Sequence, residues 1–180
     1  MRIKPCDSLL LVIDLQGRLL PAIDDGRTVL ENATWMVDVA QAIGVPILAT
    51  EQYPQGLGVT EAGLRARIPD GCIVEKTHFS ALAEGSLLGA PEAGRRQWIV
   101  VGTEAHVCVQ QTVLDRLAMG GQVFVVEDAV GSRRARDKAL ALQRMQQNGA
   151  EIVSREMVAF EWLEQSNTPV FRAVLQRFIR

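Results

Sequence analysis

At 180 residues the chain is long enough for one compact domain with a sizeable core, and its apolar share of 48% excludes intrinsic disorder. A formal charge of -2, with Lys and Arg spread along the chain, excludes a nucleic-acid stripe or a polybasic membrane patch. The cysteines Cys6, Cys72 and Cys108 are too few, and odd in number, for a disulfide framework, which fits a reducing compartment.

In chain order, SLLLVID (8–14) is a continuous apolar run ending in a carboxylate. Such runs suit a strand buried on both faces of a parallel sheet. LLLVI (9–13) is too short for a signal core or a membrane span, so the expectation is a soluble cytoplasmic protein. Residues 28–43 repeat apolar side chains at helical spacing, and Gly44 stops them. VPILAT (45–50) predicts a second strand, EQYPQGLGVT (51–60) a loop, and CIVEK (72–76) a third strand. Short helical turns fill Ser80 to Gly94. QWIVVGT (97–103) predicts a fourth strand, His106–Met119 a helix, and QVFVVED (122–128) a fifth strand. A helix over Arg134–Asn148, a short strand EIVS (151–154) and two helices over 156–165 and 168–179 complete the chain. The basic cluster RRARDK (133–138) opens a helical pattern and reads as a solvated face.

Strand and helix alternate throughout. That pattern predicts a single α/β domain over residues 1–180, with a mostly parallel six-stranded sheet and right-handed crossovers. No GxGxxG follows the first strand and no GxxxxGK[ST] occurs, which disfavours a dinucleotide or a nucleoside triphosphate.

Ligands of open α/β sheets bind beyond the carboxyl ends of the strands, near the point where strand order reverses. Three polar residues fall at such ends: Asp14 after the first strand, Lys76 at the end of the third, and Cys108 shortly after the fourth. Each has a plain structural reading: a turn cap for Asp14, a solvated lysine for Lys76, a small core hydrophobe for Cys108. Together they make a chemical set. A helix N-terminus and a nearby ammonium favour a thiolate, and a carboxylate accepts the thiol proton and returns it to a leaving group.

At these residues the chain resembles the isochorismatase-like cysteine hydrolase family over about residues 7–178. LLVIDLQ (10–16) resembles the family's first-strand motif and EKTHFSAL (75–82) its lysine motif. VVGTEAHVCVQQTVLDRLAMGGQVFVVEDAVGSR (100–133) resembles the nucleophile block. The resemblance implies a three-layer α/β/α sandwich and a triad of Asp14, Lys76 and Cys108. It also implies a cis peptide between Thr103 and Glu104, and oxyanion donors at the amides of Glu104 and Cys108. The family's usual oligomerisation implies a homo-oligomer.

Two departures narrow the reading. Nicotinamidase-type members carry an Asp-x-His and a further His after the second strand, which bind a metal; here that region reads TEQYPQGLGVT, without histidine. His78 and His106 have no partner at metal-ligand spacing, so no metal and no other cofactor is expected. True isochorismatases replace the nucleophilic cysteine with a small residue, so Cys108 argues against that reaction. The expected activity is therefore metal-independent hydrolysis of a C–N bond in a small amide or carbamoyl compound, through a thioester. A catalytically idle binding protein and a redox-responsive thiol protein stand as alternatives. Gln52 and Tyr53 either touch substrate or staple the 51–60 loop. Phe79 either walls the pocket or packs in the core. Gln16 either orients the loop or lies at the surface. His106, two residues before Cys108, points elsewhere on a helix and is not assigned to a Cys–His dyad.

Overall fold

A computed structural model describes residues 1–179. The six strands are β1 (Ser8–Ile13), β2 (Ile47–Gln52), β3 (Ile73–Lys76), β4 (Gln97–Thr103), β5 (Gln122–Gly131) and β6 (Glu151–Val153). They form one sheet in the order β3-β2-β1-β4-β5-β6, each neighbouring pair parallel. This is the Rossmann-like α/β arrangement expected from the sequence. The principal helices are α1 (Gly26–Ile43), α4 (Gln110–Ala118), α5 (Ala135–Gln147), α6 (Arg155–Leu163) and α7 (Pro169–Val174). Short helices α2 (Pro54–Leu57) and α3 (Ala62–Arg65) lie between β2 and β3.

The layers follow from the two-residue period of β1. Leu10 and Val12 face the cluster formed with Met36 of α1, Val158 and Trp162 of α6, and Val174 of α7. Leu9, Leu11 and Ile13 face the opposite cluster, with Val113 of α4, Met145 of α5, and Leu82 and Leu87 of the segment between β3 and β4. Every residue of β1 is buried, which is why its sequence shows no polar alternation. Each fully buried aliphatic side chain contributes about 1.5–3 kcal/mol of transfer free energy.

Several boundaries shift by a residue or more from the sequence reading, and three differences near the sheet's carboxyl edge have a local reason. Strand β2 runs on through Glu51 and Gln52, paired with Glu75 and Lys76. Glu51 tolerates burial there because its carboxylate accepts from the Thr60 backbone N–H and hydroxyl, both at 2.7 Å, and from Arg65. Strand β5 continues to Gly131 because a register shift between Val100 and Gly102 of β4 restores pairing beyond it. The segment Ala105–Val109 before α4 is a π-helical turn.

The chain leaves the centre of the sheet in opposite directions from β1 and β4, so the strand order reverses between them. Gly102 sits at this junction with φ +127°, where a Cβ would overlap the carbonyl oxygen of Ile13. Only glycine lets the two strands approach this closely.

Candidate active site

Asp14 is the first residue past β1. Its backbone is left-handed, φ +50°, a conformation that Asp tolerates better than most residues. Its N–H donates to Thr50 O at 3.1 Å, and its own carbonyl accepts from Thr103 Oγ1 at 2.7 Å. The carboxylate is fully buried and engaged at both oxygens: Thr50 Oγ1 donates to Oδ1 at 2.6 Å, and Lys76 Nζ donates to Oδ2 at 2.8 Å.

Lys76 ends β3, two strands from β1, and reaches the site past β2. Its ammonium also donates to Gln52 Oε1 at 2.6 Å, to Phe79 O at 3.2 Å and to His78 O at 3.4 Å. Three protons thus address four acceptors. Lys76 is 4% exposed, so it is a buried charge rather than a solvated lysine. A buried ammonium persists only when paired and hydrogen-bonded, and this one is both.

Cys108 lies in the π-helical turn. The Glu104 carbonyl accepts from the N–H groups of Val107 at 3.0 Å and Val109 at 3.2 Å, the second being the wider i→i+5 closure. The Cys108 carbonyl accepts from Thr112 Oγ1 at 2.7 Å. The residue is 6% exposed and belongs to the buried cluster with Ala105, Val109 and Val113. Its thiol pKa is pushed up to about 12, first by burial and then by the negative charge of Asp14, with Lys76 opposing. The effect of both charges on the sulfur puts Asp14, Lys76 and Cys108 in one neighbourhood. Lys76 acts in the direction expected from the sequence, favouring the thiolate, but it is outweighed. Desolvation and the adjacent carboxylate win, so the resting thiol is protonated.

The Thr103–Glu104 peptide bond is cis. The Glu104 carboxylate meets Arg133 Nε at 2.9 Å and His106 Nε2 at 3.7 Å. His106 Nδ1 pairs with Ser132 Oγ at 3.0 Å, which leaves it no part in a Cys–His pair.

The residues with open alternatives divide. Gln52 is buried, and besides meeting Lys76 it donates from Nε2 to Thr77 O at 2.7 Å. Gln16 is wholly buried and orients the loop: Oε1 accepts from Gln52 N–H at 2.8 Å, and Nε2 donates to Gln52 O and Gly58 O. Tyr53 is 54% exposed, with its ring over Gly56, and Phe79 is 52% exposed, so Phe79 does not pack in the core. Phe79 instead borders an open groove of ≈ 450 Å³ shared with Gln111 and Asp115 of α4. A separate cavity of ≈ 460 Å³ between α1 and α5 carries several carboxylates. There Asp25 holds Thr28, Glu127 holds Lys138, and Asp128 holds Arg155. Asp14, Lys76 and Cys108 are not among its lining residues.

Three supports were not legible in the sequence. Thr50 reaches Asp14 only because β2 pairs with β1 in the register Ile13↔Thr50. Thr103 holds the Asp14 carbonyl from the neighbouring strand. Glu84 closes the loop after Lys76, accepting at Oε1 from Thr77 Oγ1, the Thr77 and His78 amides, and His78 Nδ1. The Thr77 hydroxyl, then the His78 ring and both amides, hold the Glu84 carboxyl down to about 2. Among the described residues, no group of three or more His, Cys, Asp and Glu side chains gathers as a metal site. No helix among them is long and apolar enough to cross a membrane.

A parallel six-stranded α/β sheet carrying a buried Asp–Lys pair beside a cysteine defines the class, and comparison with known proteins supplies the family. The model of the isochorismatase domain matches residues 8–157, and the chain belongs to the isochorismatase family, with the α/β fold of its hydrolases. It is 37% identical over 184 residues to isochorismatase domain-containing protein 2A of Mus musculus, covering 99% of this chain and 85% of that protein. It is 34% identical over 176 residues to isochorismatase domain-containing protein 1 of Salmo salar, covering 94% of this chain and spanning 60% of that relative's length. Among solved structures, the MAR1 ribonuclease of Caenorhabditis elegans superposes with a TM-score of 0.91 at 34% identity, covering 100% of this chain and 93% of that one. The YcaC product of Escherichia coli, described as an octameric hydrolase of unknown specificity, superposes at 0.91 with 26% identity, covering 99% and 91%.

Proposed function

We propose that the protein is a cysteine hydrolase of small amide or carbamoyl C–N bonds that works without a metal, with Cys108 as nucleophile, Asp14 as proton carrier and Lys76 as the cation that orients Asp14. One observation carries the reading. The buried 2.8 Å Lys76–Asp14 pair stands beside a thiol whose titration both charges perturb. A protonated thiol next to a carboxylate fixed at both oxygens suits transfer of the proton during attack, not before it.

In this scheme Asp14 takes the Sγ proton as sulfur bonds to the carbonyl carbon. The developing oxyanion is held by the amides of Glu104 and Cys108, a contribution of about 2.7–4 kcal/mol per donor. Asp14 then protonates the leaving nitrogen, the C–N bond breaks and a thioester remains. Water attacks the thioester, giving its proton to Asp14 and restoring the thiol. Tyr53 and Phe79, exposed at the loop and the groove, are the side chains offered to substrate, while Gln52 acts through Lys76.

Turnover of a panel of small amides and carbamoyl compounds, wild type beside Cys108→Ala and with chelator present throughout, tests the reading. Turnover that survives chelation and disappears in Cys108→Ala supports it. RNA belongs in the panel because of the activity named for the Caenorhabditis elegans neighbour. A catalytically idle binding protein is the second reading, favoured by the near-complete burial of the sulfur; no turnover of any panel member would select it. The redox alternative is weakened by that burial and by the raised thiol pKa, since redox-sensing cysteines are accessible and acidic. The octameric state named for the Escherichia coli neighbour supports self-association. Light scattering that gives only a 19.7 kDa species would rule this out.

A further inference from the structure

We infer that Glu84 is a positioning residue for Lys76: by stapling the loop that follows β3, it aims two backbone carbonyls at the buried ammonium. This inference rests on the hydrolase reading above for its functional meaning, but its geometry is independent of any turnover.

The chain of contacts is short. Glu84 Oε1 gathers four donors from two consecutive residues: Thr77 N–H at 2.7 Å, Thr77 Oγ1 at 2.6 Å, His78 N–H at 2.8 Å and His78 Nδ1 at 2.7 Å. With their N–H groups turned outward to Glu84, the peptides after Lys76 curl back over it. The carbonyls of His78 and Phe79 then accept from Lys76 Nζ. A second tie reaches the same turn from inside, where Gln52 Nε2 donates to Thr77 O while Gln52 Oε1 accepts from Nζ. Beyond Phe79 the loop is anchored on α4, Ser80 Oγ to Asp115 at 2.6 Å and Ala81 N–H to Thr112 Oγ1 at 3.0 Å.

Thr112 in turn donates to the Cys108 carbonyl. The loop from Thr77 to Glu84 therefore spans the distance between the lysine and the cysteine turn. The α4 anchors at Ser80 and Ala81 fix the middle of the loop, and among the described residues Glu84 gathers Thr77 and His78 from the solvent side. Without the Glu84 carboxylate, the Thr77 and His78 amides have water as an equal partner, and nothing on that side holds the two carbonyls over Nζ. The ammonium keeps Asp14 and Gln52 but gains freedom to leave the line that fixes the Asp14 carboxylate toward the sulfur.

Lys4, Lys76 and Lys138 are the three lysines of the chain, so side-chain ammonium NMR on ¹⁵N-lysine protein isolates the effect. Lys4→Arg with Lys138→Arg leaves Lys76 as the only lysine. In that background the Lys76 ammonium gives a hydrogen-exchange-protected signal. Glu84→Ala accelerates its exchange about tenfold, the scale of one lost charge-assisted hydrogen bond. Glu84→Gln, whose Oε1 still accepts from the loop amides, restores most of the protection. Two results overturn the inference: unchanged Lys76 exchange in Glu84→Ala, or exchange that follows only a lowered Tm equally in both variants. Failure of the hydrolase reading shows separately, as amide turnover indifferent to Cys108→Ala.

Discussion

Lys76 Nζ lies 2.8 Å from Asp14 Oδ2, with the two side chains 3% and 0% exposed. Taking both charges out of water costs several kcal/mol per ion, and their attraction offsets this only because Thr50, Gln52 and the loop carbonyls satisfy what remains. Lys76→Met therefore leaves an uncompensated carboxylate and lowers unfolding stability by about 3–5 kcal/mol. Adding Asp14→Asn to Lys76→Met recovers most of that loss while activity stays absent. Urea unfolding of the wild type and these two variants measures it; a double variant as unstable as Lys76→Met would show that the pair is not the coupled unit.

Thr50 Oγ1 donates at 2.6 Å to the Asp14 oxygen that Lys76 does not hold. Thr50→Val keeps the shape of the side chain and removes this donor to a charged acceptor, worth about 1.5–3 kcal/mol. The expected outcome is a fall in kcat of roughly tenfold or more with KM little changed, since in the proposed scheme the bond orients the proton carrier and touches no substrate. A rise in KM alone would move Thr50 from the carboxylate to the substrate.

Cys108 carries a pH signature. Its thiol is raised from the ordinary 9.0 to about 12 in the folded protein. Between those values the unfolded chain has lost the proton that the folded chain keeps. The stabilisation is complete below pH 9.0 and drains away as pH rises toward about 12. Stability of the wild type should fall more steeply across this window than that of Cys108→Ala, because the substitution removes this thiol and leaves the rest of the chain unchanged. Parallel curves would show the thiol to be far less perturbed.

Gly102→Ala attacks the junction itself. The residue combines φ +127° with a site where any Cβ meets Ile13 O, one residue from Asp14. Backbone strain and forced separation of β1 from β4 place the loss at about 4 kcal/mol or more. Thermal unfolding that differs from wild type by only a few degrees would mean that the strands absorb the side chain.

The fold and the central trio were legible because strong local signals carry them. The uninterrupted apolar runs of β1 and β4 announce strands buried on both faces; Asp14 stands directly past the first of them, and Lys76 closes the shorter, partly buried β3. What stayed hidden depends on pairings between distant segments. Thr50 looks like the last residue of an ordinary strand until the Ile13↔Thr50 register places it on Asp14. Gln52 reads as the start of a loop, yet pairing with Lys76 draws it into β2. Glu84 carries no motif at all; its meaning lies in four donors gathered across a turn. The π-helical turn has no residue signature, and the upward shift of the Cys108 thiol requires burial that composition does not display.

Peptide-resolved mass spectrometry of protein quenched during turnover of an activated small amide tests the central assignment most directly. The account predicts an acyl group on Cys108 and on neither Cys6 nor Cys72, absent from Cys108→Ala and strongly reduced in Asp14→Asn. Acylation of a different residue, or undiminished turnover by Cys108→Ala, would contradict it.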